Sequence, residues 1–582
     1  MKSAVRLSIL LALLVFSGSA TLSPPSAQRP DADLCAVPPG AQPLLPARLL
    51  EGMGEMRMPV TTNSPEAQRF FNQGMAQVHS FWFVESERSF LQAAALDPDM
   101  AMAYWGIAVS AAGDYRPAFQ LIRDPYDGGR QSPGAASDTQ SIQRTSNGAA
   151  VDGRIRAREA IAKAMALRDT VTPRERLYIE AQAARRNPDS KTPDADYIAG
   201  MRKLMAAFPD DLEAKSILGL ALLDGYDPVT KAPRTHTVEG TTLLHEVTAK
   251  DDTHFGAHHY LIHGWEGSTT PEKAWHACKR YPELVPNIPH ALHMPGHIYA
   301  QSDRIDDAIT AFADASSNEL KWLGADVLYP NGHHGHNVHF LIHSLNLDGR
   351  FKDSMERARH LLSFKETPRE RTGNSQRTAY RQGYFSLVKT IVRFERWDLA
   401  LDASTIPVYD KPEQHAWRTW AIGLAYAAHG RLDDARTALA QMKTRVGAAT
   451  ATKRPLEIAE MELAATIAAR SGDRSHAYDL FRTAAAKEAA LLYTEPPSYP
   501  RPVAEGFAAT AAALGDHAIA AQAYREALSR EPGSGRAYFG LAATLRALNQ
   551  PDAARQMSQR GVQAWDKADA DLPQLKSAAG SR

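Results

Sequence analysis

A motif of small and aromatic residues recurs along this chain with a 34-residue period. Three units show it at matching positions: Phe70, Gly74, Phe90, Ala93 and Pro98; Ala520, Tyr524, Ala527 and Pro532; and Tyr538, Leu541, Ala542 and Ala554. In a repeat of this length, small residues let two antiparallel helices approach closely and large residues fill the gaps between them. The period predicts an all-α fold, an α-α superhelix of stacked helical hairpins.

The turn inside each hairpin repeats as well. Gly430, Gly472, Gly515 and Asn549 each lie five residues before an alanine. Glycine and asparagine tolerate the left-handed backbone conformation that often ends a helix. No segment shows an alternation of apolar and polar residues long enough to compete as a strand.

Over most of residues 64–565 the pattern resembles the tetratricopeptide-repeat superfamily. The resemblance implies a solenoid whose first helices line a concave groove with positions 2, 5, 9 and 12 of each repeat. Within the superfamily the chain looks like a group of exported bacterial members with histidine-rich central repeats. The segments that carry this narrower resemblance are His79-Ser80-Phe81-Trp82, Asp97-Pro98, Ala101–Gly106, His259–His263, His293–Tyr299 and His336–Phe340.

The chain ends and the charge balance restrict the class of protein. Lys2 and Arg6 precede an apolar run at 7–16 and a small-residue segment at 18–20, which is the pattern of a secretory signal peptide. The alternative is an uncleaved anchor. We expect a periplasmic or secreted protein with no stable membrane insertion after cleavage. The 66 basic and 66 acidic residues balance, so no global charge favours nucleic acid as a partner.

The composition along the chain suggests eight segments. They are a signal peptide (1–20), an extended Pro/Ala-rich lead-in (21–60), N-terminal repeats (61–123), a surface loop (124–153), central repeats with a histidine-rich groove (154–365), further helical repeats (366–494), C-terminal repeats (495–565) and a tail (566–582). Only Cys35 and Cys278 are present, and whether they form a disulfide is open. Any metal site must therefore rest mainly on histidine and carboxylate.

The histidines are concentrated in the central repeats. Of 21 in the chain, 15 lie between His236 and His343, where an even distribution would place about four. Repeat units that start at Phe255, Pro289 and Gly335 bring eight of them to positions 2, 5 and 9. These eight are His259, His263, His290, His293, His297, His336, His339 and His343. We predict that they bind a transition metal.

Helix geometry supports this prediction. Residues three or four apart share one helix face, packed helices lie about 8–10 Å apart, and metal–nitrogen bonds are about 2.0–2.1 Å long. Imidazoles from neighbouring helices can therefore share an ion. Glu266, at position 12, is the candidate carboxylate, as a ligand, an orienting group or a general base. Pro295 and Gly296 interrupt the His293–His297 spacing, so that helix is expected to be irregular.

The residues leave three functions open. The first is a binding protein that uses a groove-bound metal to hold a peptide or small-molecule ligand. The second is a metalloenzyme, either a zinc hydrolase or a copper oxidase, with its substrate in the groove. The third is a metal-free scaffold for peptides, in which the histidines are ordinary polar groove residues. Because histidine-dominated sites suit copper and zinc, these two metals are the expected cofactors.

Overall fold

The structure, a computed structural model, describes residues 47–113, 115–121, 153–325, 331–366, 371, 376–449, 453–491, 494 and 496–579. This part of the chain holds 26 α-helices and one isolated antiparallel bridge, between Tyr226 and Pro233. The helices are α1 (Pro65–His79), α2 (Phe83–Leu96), α3 (Ala101–Ala111), α4 (Ala118–Leu121), α5 (Gly153–Ala166), α6 (Pro173–Arg186), α7 (Pro193–Ala207), α8 (Leu212–Leu222), α9 (Thr237–Lys250), α10 (Phe255–Trp265), α11 (Trp275–Leu284), α12 (Pro289–Gln301), α13 (Ile305–Ala325), α14 (Asn331–Leu347), α15 (Phe351–Ser363), α16 (Ala379–Arg393), α17 (Trp397–Leu401), α18 (Pro412–Ala428), α19 (Leu432–Ala448), α20 (Lys453–Arg470), α21 (Arg474–Ala489), α22 (Val503–Ala513), α23 (His517–Arg530), α24 (Gly535–Ala547), α25 (Pro551–Ala564) and α26 (Pro573–Ala579).

Successive helices pack in pairs, and each pair stacks on the next. The hairpins are α1–α2, α3–α5, α6–α7, α8–α9, α10–α11, α12–α13, α14–α15, α18–α19, α20–α21, α22–α23 and α24–α25. Such an array buries its apolar residues between neighbouring hairpins and not in one central core. The predicted fold class, an all-α tetratricopeptide-like solenoid, is confirmed.

The repeated small residues act as expected. A Cβ on Gly74 or Gly106 would lie 2.7 Å or 2.4 Å from the ring of Phe90, so glycine is what lets this phenylalanine fill the space between three helices. At the hairpin turns, Gly430, Gly472, Gly515 and Asn549 adopt positive φ angles of 74°, 88°, 84° and 57°. The left-handed conformation predicted from the sequence is therefore present at all four turns.

The end of the C-terminal repeats also contacts the central repeats. Trp565 donates its indole N–H to the carbonyl of Leu347 over 2.7 Å, and the amide of Asp569 donates to the carbonyl of Gly349 over 3.1 Å. These contacts bring the end of the C-terminal repeats against the turn between α14 and α15. The contacts join residues that are more than 200 positions apart in the sequence.

Several predicted segments fall partly or wholly outside the described residues. The signal peptide (1–20), Cys35 and residues 122–152 of the surface-loop region are outside them, and Gly153 already begins α5. Of the lead-in, residues 47–60 are described, and they contain no helix. This segment crosses α1, where the amide of Leu50 donates to Gln73 over 2.7 Å. Cys278 is buried and is the one cysteine among the described residues, so a disulfide with Cys35 stays untested.

The boundaries of α13 and α14 differ from the predicted repeat boundaries, and residues 326–330 between these helices lie outside the described part of the chain. Helix α13 continues to Ala325 and is 21 residues long, and α14 begins at Asn331, four residues before the start predicted at Gly335. Among the described helices, none combines the length and apolar character needed to cross a bilayer.

Candidate metal centre

The first helices of three successive hairpins, α10, α12 and α14, carry the predicted ligands. Helix α12 continues through Pro295 and remains an α-helix from Pro289 to Gln301, so the irregularity expected there does not end it. The adjacent Gly296 has a packing role, because a Cβ there would lie 2.5 Å from the ring of Phe312 on α13. This close contact draws α12 against its partner and sets the position of His293 and His297.

Two groups of three histidines are present, each with ligand nitrogens within 4.8 Å of one another. The first histidine group is His259, His263 and His290. The second histidine group is His293, His297 and His336. An ion with bonds of about 2.0–2.1 Å joins nitrogens up to about 4.2 Å apart, so small side-chain rotations are enough for a shared ion.

The two histidine groups are built from the same repeat positions. Positions 5 and 9 of one repeat converge with position 2 of the next repeat. His259 and His263 on α10 thus meet His290 on α12, and one hairpin later His293 and His297 meet His336. Six of the eight predicted ligands are brought together in this way, although in two clusters and not around one point.

In the second histidine group, hydrogen bonds determine which ring nitrogen is protonated. Asn337 donates its amide to the carbonyl of Phe312 over 3.0 Å, so its oxygen faces His293 and accepts from Nδ1 over 2.8 Å. Nδ1 of His297 lies 2.9 Å from a carboxylate oxygen of Glu266, which can only accept when ionised. When both rings are neutral, both Nε2 atoms therefore carry lone pairs, and these atoms are 2.7 Å apart. Two facing lone pairs at this distance repel each other, and either a shared proton or a metal ion bound by both nitrogens relieves the repulsion.

The first histidine group has the same arrangement. Nδ1 of His259 donates to the carbonyl of His79 over 2.5 Å, which leaves its Nε2 lone pair directed at Nε2 of His290, 3.0 Å away. Nδ1 of His263 donates to Glu266 over 3.0 Å, and its Nε2 is buried without a hydrogen-bond partner. Metal-ligating histidines commonly bind a carboxylate or carbonyl through the second nitrogen, as these do.

Glu266 connects the two groups. Its carboxylate contacts His263 of the first group through one oxygen and His297 of the second through the other. Burial alone would raise the pKa of Glu266, but the charge interactions and hydrogen bonds of these two histidines outweigh it and lower the pKa well below its usual range. Of the three roles open for Glu266, these contacts match that of an orienting group.

Four of the six imidazoles are in the form that binds metals. Burial lowers the pKa of His259, His290, His293 and His336 well below the usual value, and neighbouring histidines lower it further. These side chains are therefore neutral at pH 7 and have a lone pair to donate.

Aromatic rings enclose both groups. Phe81, in the turn between α1 and α2, lies 4.5 Å from the ring of His259 and stacks on His263 at 5.4 Å. Its φ of 54° is strained for a phenylalanine, and such strain persists only where surrounding contacts hold it. Phe340 stacks on His297 at 4.4 Å and meets His336 at 4.8 Å. The low dielectric of these walls strengthens any charge interaction inside.

The two remaining predicted ligands, His339 and His343, belong to neither group among the described residues. They hold positions 5 and 9 of their repeat, so the pattern of the two groups predicts that they contact position 2 of the following repeat. The positive φ of Glu395 marks the turn of that repeat and places Gln382 at position 2. His339 instead packs against Phe385 at 5.6 Å, and the charge of Lys389 acts on both histidines.

Two further histidine clusters were not anticipated. Asp252, His258 and His276 form a third potential metal-binding group at the surface, but Arg280 also binds Asp252 over 2.8 Å. A cation bound to the only carboxylate of this group makes it a poorer metal site.

The second cluster surrounds His79 and has a structural role. His79 connects α1 to two other helices, because its ring contacts the hydroxyl of Tyr260 and the carboxylate of Glu213, each over 2.7 Å. Gly256 makes room for it, because a Cβ there would lie 2.4 Å from the His79 ring.

Fold and site together define a helical-repeat solenoid with two histidine groups in its groove. No protein-family model matches the chain, and the search of curated proteins finds no match. Among solved structures, a monomeric mutant of IFIT1 with Gppp-AAAA is 10% identical, with 85% of this chain and 90% of that chain covered and a TM-score of 0.32. The APC/C hetero-tetramer Cut9-Hcn1 is 12% identical, with 88% and 90% covered and a TM-score of 0.29.

Proposed function

We propose that the protein binds two transition-metal ions, one in each histidine group, and uses this centre to hold a ligand in its groove. The observation that carries the proposal is the 2.7 Å approach of the Nε2 atoms of His293 and His297, whose other nitrogens face acceptors. A shared proton would relieve the repulsion of one pair. Three converging imidazoles in each of two groups favour a metal ion instead.

The ligand set indicates the metal. All six ligands are imidazole nitrogens, and Glu266 is engaged by His263 and His297, so neither thiolate nor carboxylate contributes. Neutral nitrogen ligands suit copper and zinc, whereas magnesium, calcium and manganese prefer oxygen. We propose copper or zinc as the bound metal.

A catalytic role is the second candidate, and the number of ligands favours it. Three protein ligands leave a coordination position open, which is typical of catalytic zinc sites and not of closed structural ones. The metal would supply Lewis acidity there. The chain's own residues fix the ring orientations through Glu266 and Asn337 and exclude water through Phe81 and Phe340. A metal-free peptide scaffold remains the third candidate.

A cavity near the first histidine group provides space for a ligand. It has a volume of about 270 Å³ and is lined by Tyr115, Arg116, Tyr197 and the apolar side chains of α8. The guanidinium of Arg116 lies 5.2 Å from the ring of Phe81, which in turn stacks on His263. We propose that a small-molecule or peptide ligand occupies this cavity and approaches the centre past Phe81.

We also propose that the protein is exported to the periplasm or beyond, on the basis of the charged and apolar pattern of residues 1–20. The mass of the mature chain tests this: cleavage near Ala20 removes the first 20 residues, and a full-length mature chain would contradict export by a cleaved signal.

Elemental analysis tests the metal proposal. Protein purified without chelator should contain about two equivalents of copper or zinc per chain, and the chelator-treated protein should regain them on titration. Copper loading should add absorption in the visible or near ultraviolet, which zinc does not. A chain that neither retains nor takes up stoichiometric copper or zinc would rule out the proposal.

A further inference from the structure

A cluster of buried nitrogen donors follows the two histidine groups along the groove. It comprises Lys389 and Arg393 on α16 with His339 and His343 on α14. Lys389 is fully buried, and both histidines are 7% exposed. By the repeat register this cluster is third in the series, with Lys389 at position 9, where the earlier repeats carry His263 and His297.

Five nitrogen atoms of this cluster have no hydrogen-bond partner in the described part of the chain. The Lys389 ammonium, Nε2 of His339, Nδ1 of His343, and Nε and Nη1 of Arg393 are all buried without a hydrogen-bond partner. Buried polar groups are nearly always satisfied, and a buried ammonium without an acceptor is among the costliest exceptions. Such a concentration of unsatisfied donors indicates a missing acceptor.

The nearby carboxylates are already engaged. Glu531 and Glu505 both pair with Arg393 through its Nη2 atom, and Glu505 also pairs with Arg536 over 3.2 Å. Neither forms an ion pair with Lys389 among the described residues. In this part of the chain the Lys389 ammonium therefore has no carboxylate paired with it, and its charge repels a metal ion and attracts an anion.

We propose that Lys389, His339, His343 and Arg393 form a binding site for a small oxyanion, such as a carboxylate group. The Lys389 ammonium supplies the charge, and the imidazole and guanidinium N–H groups supply directed hydrogen bonds, which are strong when one partner is ionised. None of the six histidines of the two metal-binding groups takes part. The proposal therefore does not depend on the metal centre.

The pKa of Lys389 bears on the proposed oxyanion site. The pKa of Lys389 is lowered to about 7, mainly by burial; attraction to Glu531 opposes this shift, and repulsion from Arg393 adds to it. An anion bound beside the ammonium would stabilise its charged form.

Thermal unfolding of the chelator-treated full chain tests the proposal. At saturation, acetate or sulfate should raise the unfolding midpoint by about 3 °C over sodium chloride of equal ionic strength. Because sulfate also stabilises proteins without binding to them, the site-specific shift is the part of each shift that Lys389→Met loses. A larger site-specific shift with acetate identifies a carboxylate site, and a larger one with sulfate a site for tetrahedral oxyanions. Equal midpoints in all three salts would overturn the proposal.

Variants locate the effect. Lys389→Met should abolish the oxyanion response and, without oxyanion, should unfold at a midpoint no lower than the wild type, because a buried unpaired charge is removed. His343→Gln should weaken oxyanion binding about tenfold. Lys443→Met, at an exposed lysine on α19, is the matched control and should respond like the wild type. A full oxyanion response in Lys389→Met would also overturn the assignment.

Discussion

Replacing His259 and His263 together by alanine should remove one of the two proposed metal ions, and replacing His293 and His297 together should remove the other. Each double variant takes two of the three ligands from one group and leaves the other group complete. One remaining imidazole does not hold copper or zinc against buffer. Metal content should therefore fall from about two equivalents to about one in each variant, with helicity by circular dichroism largely unchanged.

Two other variants complete this series. His263→Ala with His297→Ala takes one ligand from each group and both contacts from Glu266, so both ions should be lost or strongly weakened. The matched control is His339→Gln with His343→Gln, which removes two histidines of the same helix series that lie outside both groups. This control should retain both ions. Full metal content in the first two double variants would contradict the assignment of ligands.

The second large effect concerns stability. Arg156 on α5 binds Glu87 on α2 through two hydrogen bonds of 2.7 Å and 2.8 Å, and the two residues are 2% and 1% exposed. Burial raises the pKa of Glu87, and the hydrogen bonds and charge of Arg156 oppose that rise. Arg156→Met leaves the carboxyl buried and unpaired, so it should lower the free energy of opening of α2 and α5 by about 3–5 kcal/mol. Native-state amide hydrogen exchange measures this locally.

Two comparisons separate charge from packing. Arg156→Met combined with Glu87→Leu replaces the whole pair by apolar side chains and should recover most of the loss. Arg202→Met removes an exposed partner of Glu239, with side chains 43% and 39% accessible, and should cost no more than about 1 kcal/mol. An Arg156→Met cost as small as that of Arg202→Met would show that the buried pair does not hold these helices together.

Much of the fold was predictable from the sequence because the repeat is a local property. The spacing of Ala520, Tyr524 and Ala527 reflects a helix face that must pack at a fixed distance from its partner. Gly430 and its counterparts predicted the turns because the left-handed conformation restricts the residue type. Neither inference needed information about distant parts of the chain. The closure of Trp565 onto the turn after α14 was not predictable, since it joins residues with no common register.

The histidine register was predictable, but the grouping was not. All eight histidines hold equivalent positions on the first helices of their repeats, yet the direction of each side chain decides which neighbours it meets. Positions 5 and 9 contact position 2 of the next repeat, so His336 closes the second group while His339 and His343 face α16. The role of Lys389 depends on its unsatisfied burial, which no sequence pattern reveals.

The central claim is that each histidine group holds one metal ion, and anomalous diffraction from crystals of the metal-loaded protein tests it most directly. Data collected at the absorption edge of copper or zinc should show two peaks, each about 2.0–2.1 Å from nitrogens of His259, His263 and His290 or of His293, His297 and His336. Peaks confined to other places, such as the surface group of Asp252, or no peak in the groove at full loading, would contradict it.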